Sequence, residues 1–296
     1  MLLKTRGRSP TGPLLSCMQT KFYNLLKTII KQQLLEIKQE EFSSVMVCSL
    51  ASSHSLRTCK LGDKKFFLKY GGWEDEDIET QGEYNLQVGV EYLAYQIYKL
   101  FGVNIPEEIH IVSNPNTNRI GIATSAVEGK PPSYSPSPKI RAQLTHGMYV
   151  DMLLANWDIG NVANLIQRGS DVIRIDPGGT LVFRAQGERK RGFGPQVGEL
   201  ETMHPAKGST PSAKLYDIKE LQAAVNRFNT VGSVQELNST IDSAKNEVAN
   251  GMQEAEVDEE LINEWNSLVD GQIKPILAKR FQAIKDSVDF ISGKEK

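Results

Sequence analysis

The spacing of apolar residues changes along this chain of 296 residues, and that change limits the folds it can adopt. Between residues 45 and 124, apolar and polar residues alternate in several short runs, which is the pattern of half-buried strands. From residue 139 onwards, apolar residues mostly recur at helical spacing, which is typical of amphipathic helices. The order predicts an α+β fold in which a small sheet precedes a larger helical part.

Three of the alternating runs predict an antiparallel meander, and two later runs predict two further strands. The predicted strands cover residues 45–50, 56–61, 65–70, 109–112 and 120–124. A helix over residues 88–101, ended by Gly102, lies between the two groups. The remaining predictions are helices over 20–40, 139–156, 215–229, 233–250 and 257–291, and a strand over 171–175.

Composition argues against two classes of protein. The chain has 36 acidic residues and 34 lysines and arginines, so its net charge is −2, and no nucleic-acid partner is predicted. A membrane-spanning helix needs roughly 18 to 20 apolar residues in a row, and the sequence contains no such run. A transmembrane segment is therefore not expected.

The cysteines and the first residues bear on the compartment. Cys17, Cys48 and Cys59 have neither the even number of a disulfide framework nor the spacing of a zinc site. The first eighteen residues include basic ones, but no apolar stretch follows as in a secretory signal. These features predict a cytoplasmic protein in a reducing compartment, and they leave delivery into another cell open.

Candidate functional residues are densest between residues 155 and 194. Asp158, Asn161 and Asn164 share a short loop, and a strand then leads to Asp176, which precedes Pro-Gly-Gly. Asn164 and Asp176 flank a predicted hairpin, so their oxygen atoms can meet at one end and bind Mg²⁺ with substrate phosphates. Asp158 is then free to orient or deprotonate an acceptor hydroxyl. Singly, these residues are more typical of turns, and their combination in this order favours a site.

The first half of the chain offers the cation that such a site needs. Lys69 lies in the aromatic strand 65–70, and transfer of a phosphoryl group needs a cation held by a carboxylate on a neighbouring helix. Glu91 is the candidate carboxylate, and Glu83 is the alternative if the helix begins earlier. A serine-rich turn between the first two strands can cover phosphates with its N–H and hydroxyl groups. The serines of this turn are Ser52, Ser53 and Ser55.

A cluster of cations follows Asp176 within a glycine-punctuated segment. Its members are Arg184, Arg189, Lys190 and Arg191. If the site transfers a phosphoryl group, this segment is where the acceptor docks, and it favours an acidic peptide or a phosphorylated inositol headgroup. A solvated basic loop without a partner is the alternative.

The order of these motifs resembles the HipA-like branch of the protein-kinase-like superfamily, whose close relatives include the phosphoinositide kinases. The resemblance covers about residues 44 to 200. It is carried by the serine-containing loop, by FFLK, by a helix with Glu91 that ends in Gly-Val-Asn-Ile-Pro, and by WDIGNVANLI and IRIDPGG.

What the resemblance implies is a two-lobed kinase-like fold with ATP, and Mg²⁺ or Mn²⁺, bound between the lobes. Lys69 would contact the α- and β-phosphates and pair with Glu91. Asp158 would be the catalytic aspartate. Asp176 would bind the metal with an asparagine of the loop, either Asn164 or Asn161.

The resemblance also implies where the adenine base binds. Backbone groups near residues 126–128, which include Glu128, would hold adenine. The expected division is a flexible lead-in over 1–19, an N-lobe over 20–126 and a helical C-lobe over 127–296.

Function follows from the same resemblance. The sequence predicts a kinase that transfers the γ-phosphoryl group of ATP to a hydroxyl, with a protein Ser/Thr acceptor preferred and a phosphoinositide as the alternative. Asp158-Ile-Gly replaces the Asp-Arg-His that these families usually carry, and no asparagine lies five residues after Asp158. A catalytically inactive pseudokinase that serves as a binding module is therefore kept as a second hypothesis.

Overall fold

A computed structural model of the protein describes residues 47–50, 56–71, 78–184 and 187–291. These residues belong to one compact unit, Met46–Lys296. The predicted lead-in 1–19, the predicted helix 20–40 and the serines Ser52, Ser53 and Ser55 lie outside the described residues. The division at residues 126 and 127 stays a prediction.

A five-stranded antiparallel sheet forms the first part of the described chain, as predicted. Its strands are β1 (Val47–Leu50), β2 (Leu56–Leu61), β3 (Lys64–Tyr70), β4 (Ile109–Asn114) and β5 (Arg119–Ser125). Their order across the sheet is β1-β2-β3-β5-β4. In β3, Phe66, Leu68 and Tyr70 are buried, so the intervening Lys69 lies on the other face.

The helix between β3 and β4, α1 (Ile78–Leu100), begins ten residues earlier than predicted. Its first residues are mostly polar, so apolar periodicity does not detect them. Its end is as predicted, because Gly102 adopts the left-handed conformation (φ 64°) and the N–H of Val103 donates to the carbonyl of Tyr98.

The second part is mainly helical, which completes the two-lobed α+β architecture that the sequence predicted. Its α-helices are α2 (Pro138–His146), α3 (Met148–Leu153), α4 (Glu199–Thr202), α5 (Pro211–Leu215), α6 (Leu221–Phe228), α7 (Val234–Glu254), α8 (Glu259–Leu268) and α9 (Lys274–Ile291). A hairpin of β6 (Leu165–Arg168) and β7 (Asp171–Arg174) lies between α3 and α4. The sequence predicted a hairpin between Asn164 and Asp176 but gave bounds only for its second strand, β7. None of the helices in the described ranges is long and apolar enough to cross a membrane.

The helix predicted over 139–156 is two helices that meet at Gly147. A Cβ atom on Gly147 would lie 2.6 Å from Nη2 of Arg174, so the close approach of this guanidinium requires glycine there. Similarly, the helix predicted over 257–291 is α8 and α9 joined by a π-helical turn, Val269–Ile273.

The expectation about the cysteines is not met, since Cys59 is disulfide-bonded. In the sheet, the residue opposite Cys59 is Cys48. An odd number of cysteines does not exclude a single bonded pair. Because disulfides are rare in reducing compartments, the cysteines no longer support the predicted location.

A buried ion pair holds the hairpin against α3. Arg174 on β7 donates through Nε and Nη2 to the two carboxylate oxygens of Asp151, at 2.8 and 2.7 Å. Both side chains are almost fully buried, and the hydroxyls of Tyr98 and Tyr216 also donate to Asp151. Burial alone would lower the pKa of Arg174, but the attraction of Asp151 outweighs it and the pKa is raised, so Arg174 is charged.

Removing one partner of this pair leaves the other charge buried without compensation. We expect Asp151→Ala to lower the free energy of unfolding by about 3–5 kcal/mol, measured by urea denaturation. The control is Glu107→Ala, which removes an exposed contact to Arg168 at 3.8 Å and is expected to cost no more than about 1 kcal/mol. Equal losses in the two variants would contradict the structural role of the buried pair.

Candidate functional site

Three charged residues from distant parts of the chain meet at one point. Nζ of Lys69 donates to Oε2 of Glu91 at 2.9 Å and to Oδ1 of Asp176 at 2.5 Å. The Glu91 side chain is 4% exposed, whereas that of Asp176 is 51% exposed, so the trio runs from the interior to an open surface. Burial alone would lower the pKa of Lys69, but the attraction of the two carboxylates outweighs it and the pKa is raised.

One face of α1 organises the residues around this trio. Glu91, Tyr95 and Tyr98 lie four and then three positions apart, so they share a face of the helix. The Tyr95 hydroxyl accepts a hydrogen bond from the backbone N–H of Asp176 at 2.9 Å. The Tyr98 hydroxyl accepts one from Nδ2 of Asn156 at 2.7 Å. Neither tyrosine is among the residues predicted for the site, although their helical spacing from Glu91 could have indicated them.

Lack of space for a side chain explains why glycine follows Asp176 in the sequence Pro-Gly-Gly. Asp176 adopts the left-handed conformation (φ 51°), which aspartate tolerates better than most residues, and a 3₁₀ turn, Pro177–Gly179, follows. A Cβ atom on Gly178 would lie 3.0 Å from Oε2 of Glu91 and 3.3 Å from Nζ of Lys69. The backbone at Gly178 therefore packs directly against the charged trio, where a side chain has little room.

The loop that carries Asp158 approaches the same point. Asp158 lies in a 3₁₀ turn, Trp157–Gly160, and is partly exposed. Burial raises the pKa of Asp158, and the nearby charge of Asp176 adds to this, whereas Lys190 acts in the opposite direction. The turn that carries Asp158 also lies against the turn Pro177–Gly179, which directly follows Asp176.

The two candidate asparagines of this loop are used differently. Oδ1 of Asn161 accepts a hydrogen bond from the N–H of Ala163, a local turn contact at an exposed position. Nδ2 of Asn164 donates to the carbonyl of Asp158 at 3.3 Å, and the carbonyl of Asn164 accepts from the N–H of Ile175 at 2.9 Å. The hairpin thus brings Asn164, rather than Asn161, beside the segment that leads to Asp176.

The donors around Asp176 fit a metal that binds together with a ligand. In the described ranges, no group of three or more His, Cys, Asp or Glu residues could hold a metal ion by itself. Asp176 and Asn164 offer one carboxylate and one amide oxygen. This set suits Mg²⁺, which usually takes one or two carboxylates and completes its shell with water and substrate phosphates.

Two of the four cations after Asp176 are engaged within the protein. Arg189 forms ion pairs with Glu83 at 2.9 Å and with Glu264 at 2.7 Å. Glu83, the alternative partner of Lys69, is therefore paired elsewhere. Lys190 donates from Nζ to the carbonyls of Ala155 at 2.8 Å and Gly179 at 2.7 Å. Lys190 thus ties the start of the Asp158 loop to the turn after Asp176.

The other two cations, Arg184 and Arg191, are exposed and line a cavity of about 590 Å³. Trp157, Asp158 and Lys190 line the same cavity. Glu128 is exposed and lies just after β5, and within the described part of the chain no hydrogen bond or ion pair involves its side chain. The structure therefore brings together Lys69, Glu91, Asp158, Asn164, Asp176 and Lys190, with Arg184 and Arg191 around the adjacent cavity.

A buried arginine that was not predicted from the sequence, Arg280, holds together the segments that form the cavity. Arg280 on α9 donates to the carbonyls of Met152 and Leu153, just before the Asp158 loop. It also donates to Glu199 at 2.8 Å and to the carbonyls of residues 194 and 196. Oε1 of Glu199 in turn accepts a hydrogen bond from Nε1 of Trp157. One guanidinium thus joins the loop to the far wall of the cavity.

A comparison with solved protein structures finds a similar path of the backbone. The crystal structure of a Helicobacter pylori proinflammatory kinase, CtkA, matches with a TM-score of 0.46 and 11% sequence identity. The match covers 82% of this chain and 98% of that chain. No family model and no curated protein matches the sequence. The roles of individual residues therefore rest on the geometry described above.

The burial of Lys190 predicts that the stability of the folded protein depends on pH. Burial lowers the pKa of Lys190 from 10.5 to about 8, so between these values the unfolded chain binds more protons than the folded chain. The free energy of unfolding of the wild type therefore rises with pH across this window, and this gain is absent from Lys190→Met. Urea denaturation at pH values between 7 and 10.5 measures the difference in slope.

The matched control is Lys139→Met, which changes an exposed lysine on α2. Lys190→Met also leaves two carbonyls without their donor, so we expect it to cost about 1–3 kcal/mol below pH 8, and the control to cost less than about 0.5 kcal/mol. Identical pH slopes in wild type and Lys190→Met would show that Lys190 is not buried as described.

Proposed function

We propose that the protein is an ATP- and Mg²⁺-dependent kinase that transfers the γ-phosphoryl group to a Ser or Thr hydroxyl of a protein. The observation that carries the proposal is the double contact of Lys69 with Glu91 and Asp176. A cation held by one buried carboxylate and placed beside a second, exposed one is what binding of a metal–nucleotide complex requires. Phosphoryl transfer depends mainly on such positioning and on electrostatic stabilisation.

Each residue of the site has a distinct task in this proposal. Lys69 binds the α- and β-phosphates, and Glu91 keeps its ammonium in place. Asp176 and Asn164 would hold Mg²⁺, which neutralises phosphate charge when bound.

Asp158 acts on the acceptor. The acceptor hydroxyl oxygen forms a bond to the γ-phosphorus, the bond from that phosphorus to the oxygen shared with the β-phosphate breaks, and ADP leaves. The hydroxyl proton passes to the carboxylate of Asp158, whose raised pKa suits a group that accepts a proton. Lys190 ties this loop to the turn after Asp176, so that acceptor and nucleotide sites keep their spacing.

Transfer of label from ATP tests the proposal. We expect wild type to label a protein acceptor in the presence of Mg²⁺ or Mn²⁺, and Asp176→Ala to lower the rate at least about a hundredfold, because the metal loses its carboxylate. The matched control is Asp171→Ala, which removes another exposed aspartate at the start of β7 and should keep the wild-type rate. Nucleotide binding is followed in parallel by the shift in melting temperature.

The other outcomes have definite meanings. Label that enters phosphoinositide vesicles but no protein would favour the phosphoinositide kinase. Nucleotide binding without transfer to any acceptor would favour the pseudokinase. Equal rates for Asp176→Ala and Asp171→Ala would contradict the assignment of Asp176.

A second variant separates the task of Asp158 from that of the nucleotide site. We expect Asp158→Asn to lower kcat by about a hundredfold or more while the KM for ATP changes little, since Asp158 acts on the acceptor. By contrast, Lys69→Met should raise the KM for ATP. Steady-state kinetics at saturating acceptor distinguish the two. If Asp158→Asn keeps the wild-type kcat, another residue has to receive the proton.

A further inference from the structure

Four cations follow Asp176, and the structure sorts them into two pairs. Arg189 and Lys190 are held by contacts within the protein. Arg184 is 56% exposed, and the ion pair that it forms with Glu188 at 3.8 Å is itself exposed to solvent. Within the described part of the chain, no hydrogen bond or ion pair engages the side chain of Arg191. Arg184 and Arg191 are therefore the pair available to a ligand.

Both available arginines line the cavity of about 590 Å³ that also contains Asp158. A guanidinium group binds carboxylates and phosphates through paired hydrogen bonds, and exposed cations attract anions from solution. The cavity therefore combines the carboxylate proposed to activate a hydroxyl with two cations suited to an anionic group beside that hydroxyl.

The surface around the cavity favours a soluble acceptor over a lipid. Proteins that dock on membranes through a basic cluster usually add apolar side chains that enter the bilayer. Among the described residues, the exposed large hydrophobic side chains are Tyr134, Trp157 and Ile218, and of these Trp157 alone lines the cavity. A segment of protein chain therefore fits the observations better than a phosphoinositide headgroup in a membrane.

We propose that Arg184 and Arg191 select an acceptor Ser or Thr that lies within an acidic segment of a protein substrate. This inference rests on the proposed kinase function and specifies its substrate class. The acceptor hydroxyl reaches Asp158, while carboxylates on neighbouring residues of the substrate pair with the two arginines. The transfer step itself is unchanged, with the proton passing to Asp158 and ADP leaving.

The test uses the full chain and short synthetic peptides that contain one Ser flanked by Asp, Asn or Lys at the same positions. Wild type should phosphorylate the Asp peptide with the highest kcat/KM. Arg184→Gln and Arg191→Gln should each raise the KM for the Asp peptide about five- to tenfold, the effect of losing one exposed charge-assisted contact. The KM for ATP and the kinetics with the Asn peptide should not change.

The chain offers a closely matched control for Arg184. Arg168 is 53% exposed and has Glu107 at 3.8 Å, almost the same surroundings, but it does not line the cavity. Arg168→Gln should leave the KM for the Asp peptide unchanged. Arg184→Glu should shift the preference towards the Lys peptide, which loss of stability alone would not do.

Three kinetic results would overturn the inference. The first is an equal effect of Arg184→Gln and Arg168→Gln, and the second is equal use of the Asp and Asn peptides by wild type. The third is transfer to vesicles of phosphatidylcholine and phosphatidylinositol 4-phosphate with none to the peptides, which would identify a lipid acceptor instead.

Binding measurements separate failure of this inference from failure of the proposed function. Fluorescence anisotropy of the labelled Asp peptide is measured with a non-hydrolysable ATP analogue. Binding that Arg184→Gln weakens, without transfer to any acceptor, would support the acidic-segment site and contradict the kinase. Transfer to the Asn peptide without tighter binding of the Asp peptide would support the kinase and contradict the site. Neither binding nor transfer would contradict both.

Discussion

The buried charge of Glu91 is the constraint from which the geometry of the site follows. A carboxylate that is 4% exposed needs a cation, and Lys69 on β3 supplies it. The same ammonium contacts Asp176, so sheet, helix and hairpin are joined by one group. The backbone at Gly178 then packs against the three charges, which leaves little space for a side chain. Loss of any one of these contacts would therefore affect β3, α1 and the segment that follows β7.

The loop around Asp158 is anchored by residues far from it in sequence. Kinases of the family that the sequence resembles usually carry Arg-His after the catalytic aspartate, and this chain has Ile-Gly there. The structure shows two buried arginines in supporting positions. Arg174 holds the hairpin through Asp151, and Arg280 binds the carbonyls immediately before the loop. A loop without its own anchoring residues can therefore still be held in place.

Sequence patterns predicted the sheet well because alternation of apolar residues directly reflects one buried face, as in β3. They gave no bounds for β6 and missed the start of α1, because polar residues obscure the apolar period in both segments. They also missed Arg280, since an arginine in an amphipathic helix reads as a surface residue until its surroundings are known. The four cations after Asp176 are neighbours in the sequence and were therefore predicted to act together. The structure separates them, because Arg189 and Lys190 bind residues from distant parts of the chain.

The position of Arg280 has a consequence for synthesis of the protein. The walls of the cavity are complete at residue 199, but the guanidinium that joins them lies on α9, the last helix of the described chain. During translation, the sheet and the Asp158 loop leave the ribosome well before this helix does. A nascent chain that lacks α9 would thus contain Lys69, Glu91 and Asp176 but not Arg280, which holds the Asp158 loop in place. Assembly of the site is therefore coupled to synthesis of α9, about 80 residues after the last residue that lines the cavity.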